Sequence, residues 1–297
     1  LNKPSAHALR QATLLALASA VLFAVMAGLA RVVSSSIPGS QVAFLRFATG
    51  VVATAVAVLV ARVDLRPRHW GWLLSRGVFG GLAVLFYFTG IEKIGVGVAT
   101  LINFTSPVWS MVFAWLLLHE RPKPGVAVAL GATMTGVTLV ATGQGHTFAL
   151  QGWALVAVAS AVVSGMAITS VRATRRPGQD GSSEDNWMVF ASFTTVGLLV
   201  TLPTVAPPFG HWVAPTAGQW VVLVLCGLVS VAAQLLMTAA LRDMTAAGIG
   251  VVQQTTVVLS LGIGLLFFHE TLTLRAAIGC VVTISGVLWM MRTNAKA

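Results

Sequence analysis

Apolar runs of about twenty residues, separated by short polar clusters, repeat along the whole chain. The hydropathy pattern predicts ten helices, at roughly 12–33, 41–61, 70–90, 95–117, 125–143, 151–172, 187–206, 218–240, 246–268 and 274–292. Each is long enough to cross a hydrocarbon core of ~30 Å. The connections are short, apart from "ATRRPGQDGSSEDN" at 173–186 and "VAPPFGHWVAPTAGQ" at 205–219. The first apolar run follows a polar leader, Leu1 to Arg10, and is too long for a signal-peptide core, so it reads as a span. The expected fold class is therefore an all-α membrane protein.

Composition agrees with the pattern. The chain is 57% hydrophobic and 9% charged, whereas a soluble domain carries roughly 25% charged residues. The net charge of +10 reports topology rather than nucleic acid. With the N-terminus inside, thirteen Lys and Arg residues fall on the cytoplasmic side and three (Arg31, Lys93, Arg275) on the other. An even number of spans then returns the C-terminus to the cytoplasm. Eight of nine tryptophans lie near expected span ends, and Trp109 does not. Cys226 and Cys280 sit inside apolar runs, which argues against a disulfide framework.

A repeat organises the spans. Residues 101–140 align with 251–290 without a gap, matching Thr105 with Thr255, Ser110 with Ser260, His119 with His269, Glu120 with Glu270, Thr133 with Thr283 and Gly136 with Gly286. The motif "ASAV" at 18–21 recurs at 159–162, with Arg31 opposite Arg172 in that register. The expected halves are 1–146 and 147–297, each with five spans. An odd number of spans per half inverts one half against the other. Such inverted repeats place substrate at their interface in carriers.

The two His-Glu pairs then fall on opposite sides of the membrane and cannot form one catalytic site. The zinc pattern His-Glu-x-x-His fails as well, because Lys123 and Thr273 occupy the fifth position. His119, Glu120, His269 and Glu270 read instead as structural helix-end pairs, each Glu capping the helix that follows. No metal site, cofactor or catalytic residue is expected.

Ten spans in two inverted halves, with a Glu closing the fourth and ninth before a Gly-rich fifth and tenth, resemble the drug/metabolite transporter superfamily. Its EamA-type branch is the nearer likeness, and within it the YddG-type amino-acid exporters. The resemblance covers nearly the whole chain. It implies a central cavity between the halves and export of small metabolites, and it carries over no substrate residue.

Candidate site residues come from the interior polar groups. All eight acids and all six histidines fall in loops or at expected span ends, and no lysine sits in a span. The interior should therefore lack a proton-carrying carboxylate, and a cation to hold a phosphate. Arg76 should snorkel to headgroups. Arg46 should either snorkel or pair with Glu92 as an outer gate. Amides and hydroxyls must face protein or a watery cavity. The cavity candidates are Asn103, Thr105, Trp109, Tyr87, Ser164, Gln234, Gln253 and Gln254, set against a purely interhelical bonding role. Pro107 should kink the fourth span, a feature its mate Val257 does not share. The leading expectation is an inner-membrane exporter, of bacterial type, for neutral or zwitterionic metabolites. Amino acids, including aromatic and bulky apolar ones, are the expected substrates, moved by alternating access without a buried carboxylate for proton coupling. A multidrug exporter of lipophilic cations is the alternative. The expected partners are a small-molecule substrate and lipid, not nucleic acid, with the chain a monomer or weak homodimer.

Overall fold

The computed structural model describes residues 6–33, 35–63, 65–94, 99, 102–143, 152–176, 183–208, 210–268 and 271–295. Among them every regular element is helical. In chain order these are α1 (Ala6–Val33), α2 (Gly39–Ala61), α3 (Trp70–Ile94), α4 (Ser106–Leu118), α5 (Pro124–Gly143) and α6 (Ala154–Arg175). They continue with α7 (Asn186–Thr201, extended by a 3-10 turn at Leu202–Thr204), α8 (Ala217–Ala240), α9 (Ala246–Gln253), α10 (Thr255–Phe267) and α11 (Leu274–Ala295). Among the described residues, eight stretches are long and apolar enough to cross a membrane, with α9 and α10 together forming one of them. The other two expected spans correspond to α3 and to the shorter apolar α4, whose expected beginning lies partly outside the described residues.

Local chemistry sets the helix ends. Asp185 accepts the backbone N–H of Trp187 at 2.7 Å to open α7, and Thr216 with Gln219 forms a capping box at the start of α8. Thr245 accepts the N–H of Gly248 at 3.1 Å and opens α9. At the other ends, Arg62 and His119 take left-handed backbone angles (φ 51° and 54°) and turn the chain out of α2 and α4.

One large apolar cluster joins Ala12 and Ala16 near the start of α1, Leu73 of α3, Val126 of α5 and Val189 of α7. The same cluster takes Val171 from the end of α6, Leu241 and Met244 beyond α8, and Met290 from the end of α11. Helix starts and helix ends therefore meet at one side of the bundle, which we call the terminal face. At the opposite face Val33, Ile37 and Val42 pack on Leu223, while Val140, Leu261 and Ala276 form another cluster.

Small residues bring the helices close. The helices α5 and α11 cross where a Cβ on Gly136 would overlap Thr283 Oγ1 and approach Gly279 O at 2.7 Å. Reciprocally, a Cβ on Gly286 would lie 2.7 Å from Thr133 Cγ2. The pairs α3–α6 and α1–α8 are the other extensive contacts. In lipid, where apolar side chains gain little by leaving the solvent, such close approach supplies much of the association.

The crossing generates a stability prediction. Gly136→Leu should cost about 1–3 kcal/mol by overpacking, read as a lower unfolding midpoint of the purified protein in detergent. Gly131→Ala, on the same helix with nothing within 4 Å, should stay within about 0.5 kcal/mol. Equal effects of the two would contradict the packing account.

Candidate functional site

Two serine–amide clamps lie in the interior. Ser160 of α6 donates to the carbonyl of Ala83 on α3 at 2.9 Å and meets Asn103 Oδ1 at 3.1 Å. Ser19 of α1 donates to the carbonyl of Ala233 on α8 at 2.8 Å and meets Gln253 Nε2 at 3.2 Å. Ser19 and Ser160 are the serines of the two "ASAV" motifs, and Asn103 and Gln253 are aligned mates. Both serines are fully buried, so a hydroxyl without these partners would be left unsatisfied. Ser164 reaches the same Asn103 Oδ1 at 3.5 Å, one turn further along α6.

Between the clamps the helices break. The chain turns at Phe104 and Thr105 before α4 restarts with Pro107 in its first turn, and it turns again at Gln254 between α9 and α10. The sequence led us to expect a kink in the first of these only. The second break, without proline, is held by its own side chain: Gln254 Nε2 donates to the carbonyl of Phe104 at 2.9 Å. Gln254 is thus bound to its aligned mate, 150 residues away, and its Oε1 has no partner among the described residues. Gly250 of α9 receives Pro107, whose Cβ would stand 2.6 Å from an added Cβ.

Charge in the interior departs from expectation. Arg76 does not snorkel: it is 5% exposed, lies 3.9 Å from the centroid of the Phe193 ring and donates from one terminal nitrogen to Gln234 Oε1 at 3.0 Å. Its Nε has no partner among the described residues. The physical reason is cover. Gly77 and Gly80 admit α7 so closely, at Val196 and Phe193, that the start of α3 is roofed and the guanidinium turns inward. Arg46 also stays inside, with one terminal nitrogen 3.6 Å from Met26 Sδ and its guanidinium 5.7 Å from the Phe47 ring. Phe47 and Phe193 meet edge to face at 5.0 Å. The expected interior without a cation is therefore overturned, and two cations occupy it.

The described carboxylates with resolved partners stand at the terminal face. Glu120 does not cap the following helix. Its Oε1 takes the Nε of Arg172 at 2.8 Å and lies 3.7 Å from the Nε of Arg176. Arg172 also donates to the carbonyls of Leu241 and Arg242, at 2.8 and 2.6 Å, tying together the ends of α4, α6 and α8. Buried Glu184 accepts the backbone N–H groups of Arg68 and His69 at 2.6 and 2.5 Å, while Arg175 donates to its carbonyl. The two acids tie the ends of α4 and α6 to the segment before α3 at this face.

The remaining expected residues are placed as follows. Thr105 bonds its own helix, Oγ1 to the carbonyl of Ile102 at 2.7 Å. Trp109 stands against Gly165, where an added Cβ would come 2.5 Å from its Cβ. Tyr87 is half-buried on α3. His119 ends α4. His269, Glu270 and the side chain of Glu92 lie outside the described residues, and with Glu92 the expected gate to Arg46. The reading missed Arg76, Ser19 and Ser160. Repetition of "ASAV" was the signal for the serines, and an arginine more than one turn inside an apolar helix beside "GVFGG" was the signal for Arg76. Among the described residues no group of three or more His, Cys, Asp or Glu could hold a metal ion.

A bundle of membrane-length helices around buried amides and guanidiniums defines a polytopic membrane protein with a polar interior. Residues 10–142, and again 151–292, match the EamA-like transporter family, and the chain belongs to it. It is an integral protein of the bacterial inner membrane and a transporter of a small molecule, not an enzyme. It is similar to the pseudopaline exporter CntI of Pseudomonas aeruginosa, 26% identical over 96% of this chain and 98% of that one. It is also similar to human solute carrier family 35 member G1, 25% identical over 76% of this chain and 61% of that protein. A solved crystal structure shares the fold, with a TM-score of 0.79 at 20% identity over 94% of this chain and 95% of that chain.

The twin clamps predict twin costs. Ser19→Ala and Ser160→Ala should each destabilise by about 0.5–1.5 kcal/mol, and the double variant by the sum to within about 0.5 kcal/mol. Denaturation of the purified protein in lipid nanodiscs measures this. A cost confined to one serine would show that the clamps are not equivalent.

Proposed function

We propose that the protein exports small zwitterionic metabolites of the amino-acid type by alternating access. The observation that carries this is Arg76, a buried guanidinium held by a neutral amide and an aromatic ring, with no described carboxylate to balance it. An uncompensated charge inside a membrane protein is costly and marks function. A substrate carboxylate supplies the compensation, bound in the charge-assisted, forked manner that suits a guanidinium. The amides of Asn103 and Gln253 have further hydrogen-bonding capacity for an α-amino group beyond their bonds to the serines. Trp109 and Tyr87 supply apolar surface for a side chain.

The reading takes the chain as ten spans with both termini in the cytoplasm, in two inverted halves, 1–146 and 147–297. The double family match, the reciprocal Gly–Thr contacts of α5 and α11, and the twin clamps support that arrangement. In it the Glu120–Arg172 pair closes the cytoplasmic side. By aligned position its counterparts across the membrane are Glu270 and Arg31. The opening between halves then alternates as one latch forms and the other parts. Without a described interior carboxylate, transport is downhill or by exchange rather than proton-driven.

Export of lipophilic cations is the weaker reading. Buried guanidiniums repel such a substrate, and the Phe193 and Phe47 faces that cation–π attraction would use already carry Arg76 and Arg46.

Uptake of radiolabelled amino acids into proteoliposomes, with and without a pH gradient, tests the proposal. Saturable uptake should need no gradient. Arg76→Gln should reduce it roughly tenfold or more, as expected from about 1.5–3 kcal/mol for a hydrogen bond to a charged group, and Arg76→Lys should restore only part of it. Uptake of a lipophilic cation, with amino acids ignored, would reverse the assignment. Glu120→Gln should raise, several-fold, the labelling of a cysteine placed at Ala247 by a membrane-impermeant thiol reagent applied to the cytoplasmic side. Unchanged labelling would remove Glu120 from gating.

A further inference from the structure

We infer that the interior accepts substrates bearing two carboxylates, one on Arg76 and the second on Arg46; this rests on the amino-acid reading of the Arg76 site and narrows its substrate class. Neither arginine alone demands this. Together they flank one aromatic pair, Phe47 and Phe193.

Arg46 enters from α2 and Arg76 from α3, and the two are linked through a continuous aromatic path. The Arg46 guanidinium is 5.7 Å from the Phe47 ring, Phe47 meets Phe193 at 5.0 Å, and Arg76 lies 3.9 Å from Phe193. The groups around Arg46 are soft and neutral: the Met26 thioether at 3.6 Å, the Phe47 ring, and Cys226, whose thiol bonds the carbonyl of Met26 at 3.7 Å. Around Arg76 stand the Gln234 amide and the Phe193 ring.

No described carboxylate pairs with either arginine. Glu120 is committed to Arg172 and Arg176, Glu184 to the backbone of Arg68 and His69, and Asp185 to the N-terminus of α7, all at the terminal face. Asp243 lies in the turn after α8 at that same face. Aromatic faces and thioethers soften a buried cation without neutralising it. Two like charges in one low-dielectric interior therefore leave room for two negative charges, and a monocarboxylate amino acid brings one. Its amine would also add a third positive charge. A dicarboxylate with one amine lowers the local sum from that of two uncompensated charges to one, and each charge neutralised makes burial less costly.

The test is a ladder of competitors in the proteoliposome assay, using the full chain. Leucine stands for one carboxylate; aspartate, glutamate, α-aminoadipate and α-aminopimelate carry two at increasing spacing. At least one member of the dicarboxylate series should compete ten times more strongly than leucine, and should raise the unfolding temperature of the purified protein where leucine at equal concentration does so less. Arg46→Gln should bring the dicarboxylate-to-leucine ratio down to about one, and Arg46→Lys should restore part of it. Arg76→Gln should lower both members of the ratio. The wild-type ladder needs no variant, so a misfolded Arg46→Gln leaves the inference testable. Should every dicarboxylate compete no better than leucine while Arg76→Gln still abolishes leucine uptake, the two-carboxylate inference is wrong and the amino-acid reading stands. Should neither class compete, and Arg76→Gln change nothing, both are wrong. A ratio that survives Arg46→Gln would also overturn the assignment of the second carboxylate to Arg46.

Discussion

Hydrocarbon offers no hydrogen-bond partner, and most of this structure follows from that constraint. Each polar group placed at depth must find its partner within the bundle. The two helix breaks show the consequence. A chain that turns at Phe104 frees a carbonyl, and the amide of Gln254, at a second turn, satisfies it at 2.9 Å. Two defects that would each be costly alone become one contact. The same logic places Ser19 and Ser160, which turn their hydroxyls to carbonyls of neighbouring helices and share the amides of Gln253 and Asn103.

The interior therefore has two kinds of polar group. Serines and amides are paired with one another and hold three helices in each clamp: α6, α3 and the segment carrying Asn103 on one side, α1, α8 and α9 on the other. Arginines are paired only with neutral partners among the described residues. The first kind gives rigidity, and the second leaves an electrostatic need that a passing anion can meet. At the terminal face the roles reverse. Carboxylates there are engaged by arginine and backbone donors, so charge ties helix ends together.

Much of the fold was legible in the sequence because the bilayer sets a fixed length for apolar runs. The starts of α3 and α5 and the ends of α1, α2, α5 and α8 fall within a residue of expectation. The second break escaped notice because no proline marks it, and the turn at Gln254 is held by what its side chain touches. Arg76 was misread for a related reason. An arginine six residues inside an apolar helix can reach the headgroups only if the helix surface around it is open, and the close approach of α7 over Gly77 and Gly80 removes that opening. Glu120 was expected to cap the helix that follows, but its partner lies on α6, 52 residues away, beyond what local capping rules consider.

The sequence alone determined the class of the protein and the likeness of its halves, since span length, sparse charge and aligned motifs are properties of the chain read in order. The tertiary structure alone decided which polar groups are satisfied and which are left wanting. That depends on distances between residues far apart in the chain: Ser19 beside Gln253, Phe104 beside Gln254, Arg76 beside Gln234. Hydrogen bonds act over a few ångströms, and whether a buried charge is compensated depends on which partners reach it, so the character of the interior exists only once the helices are packed.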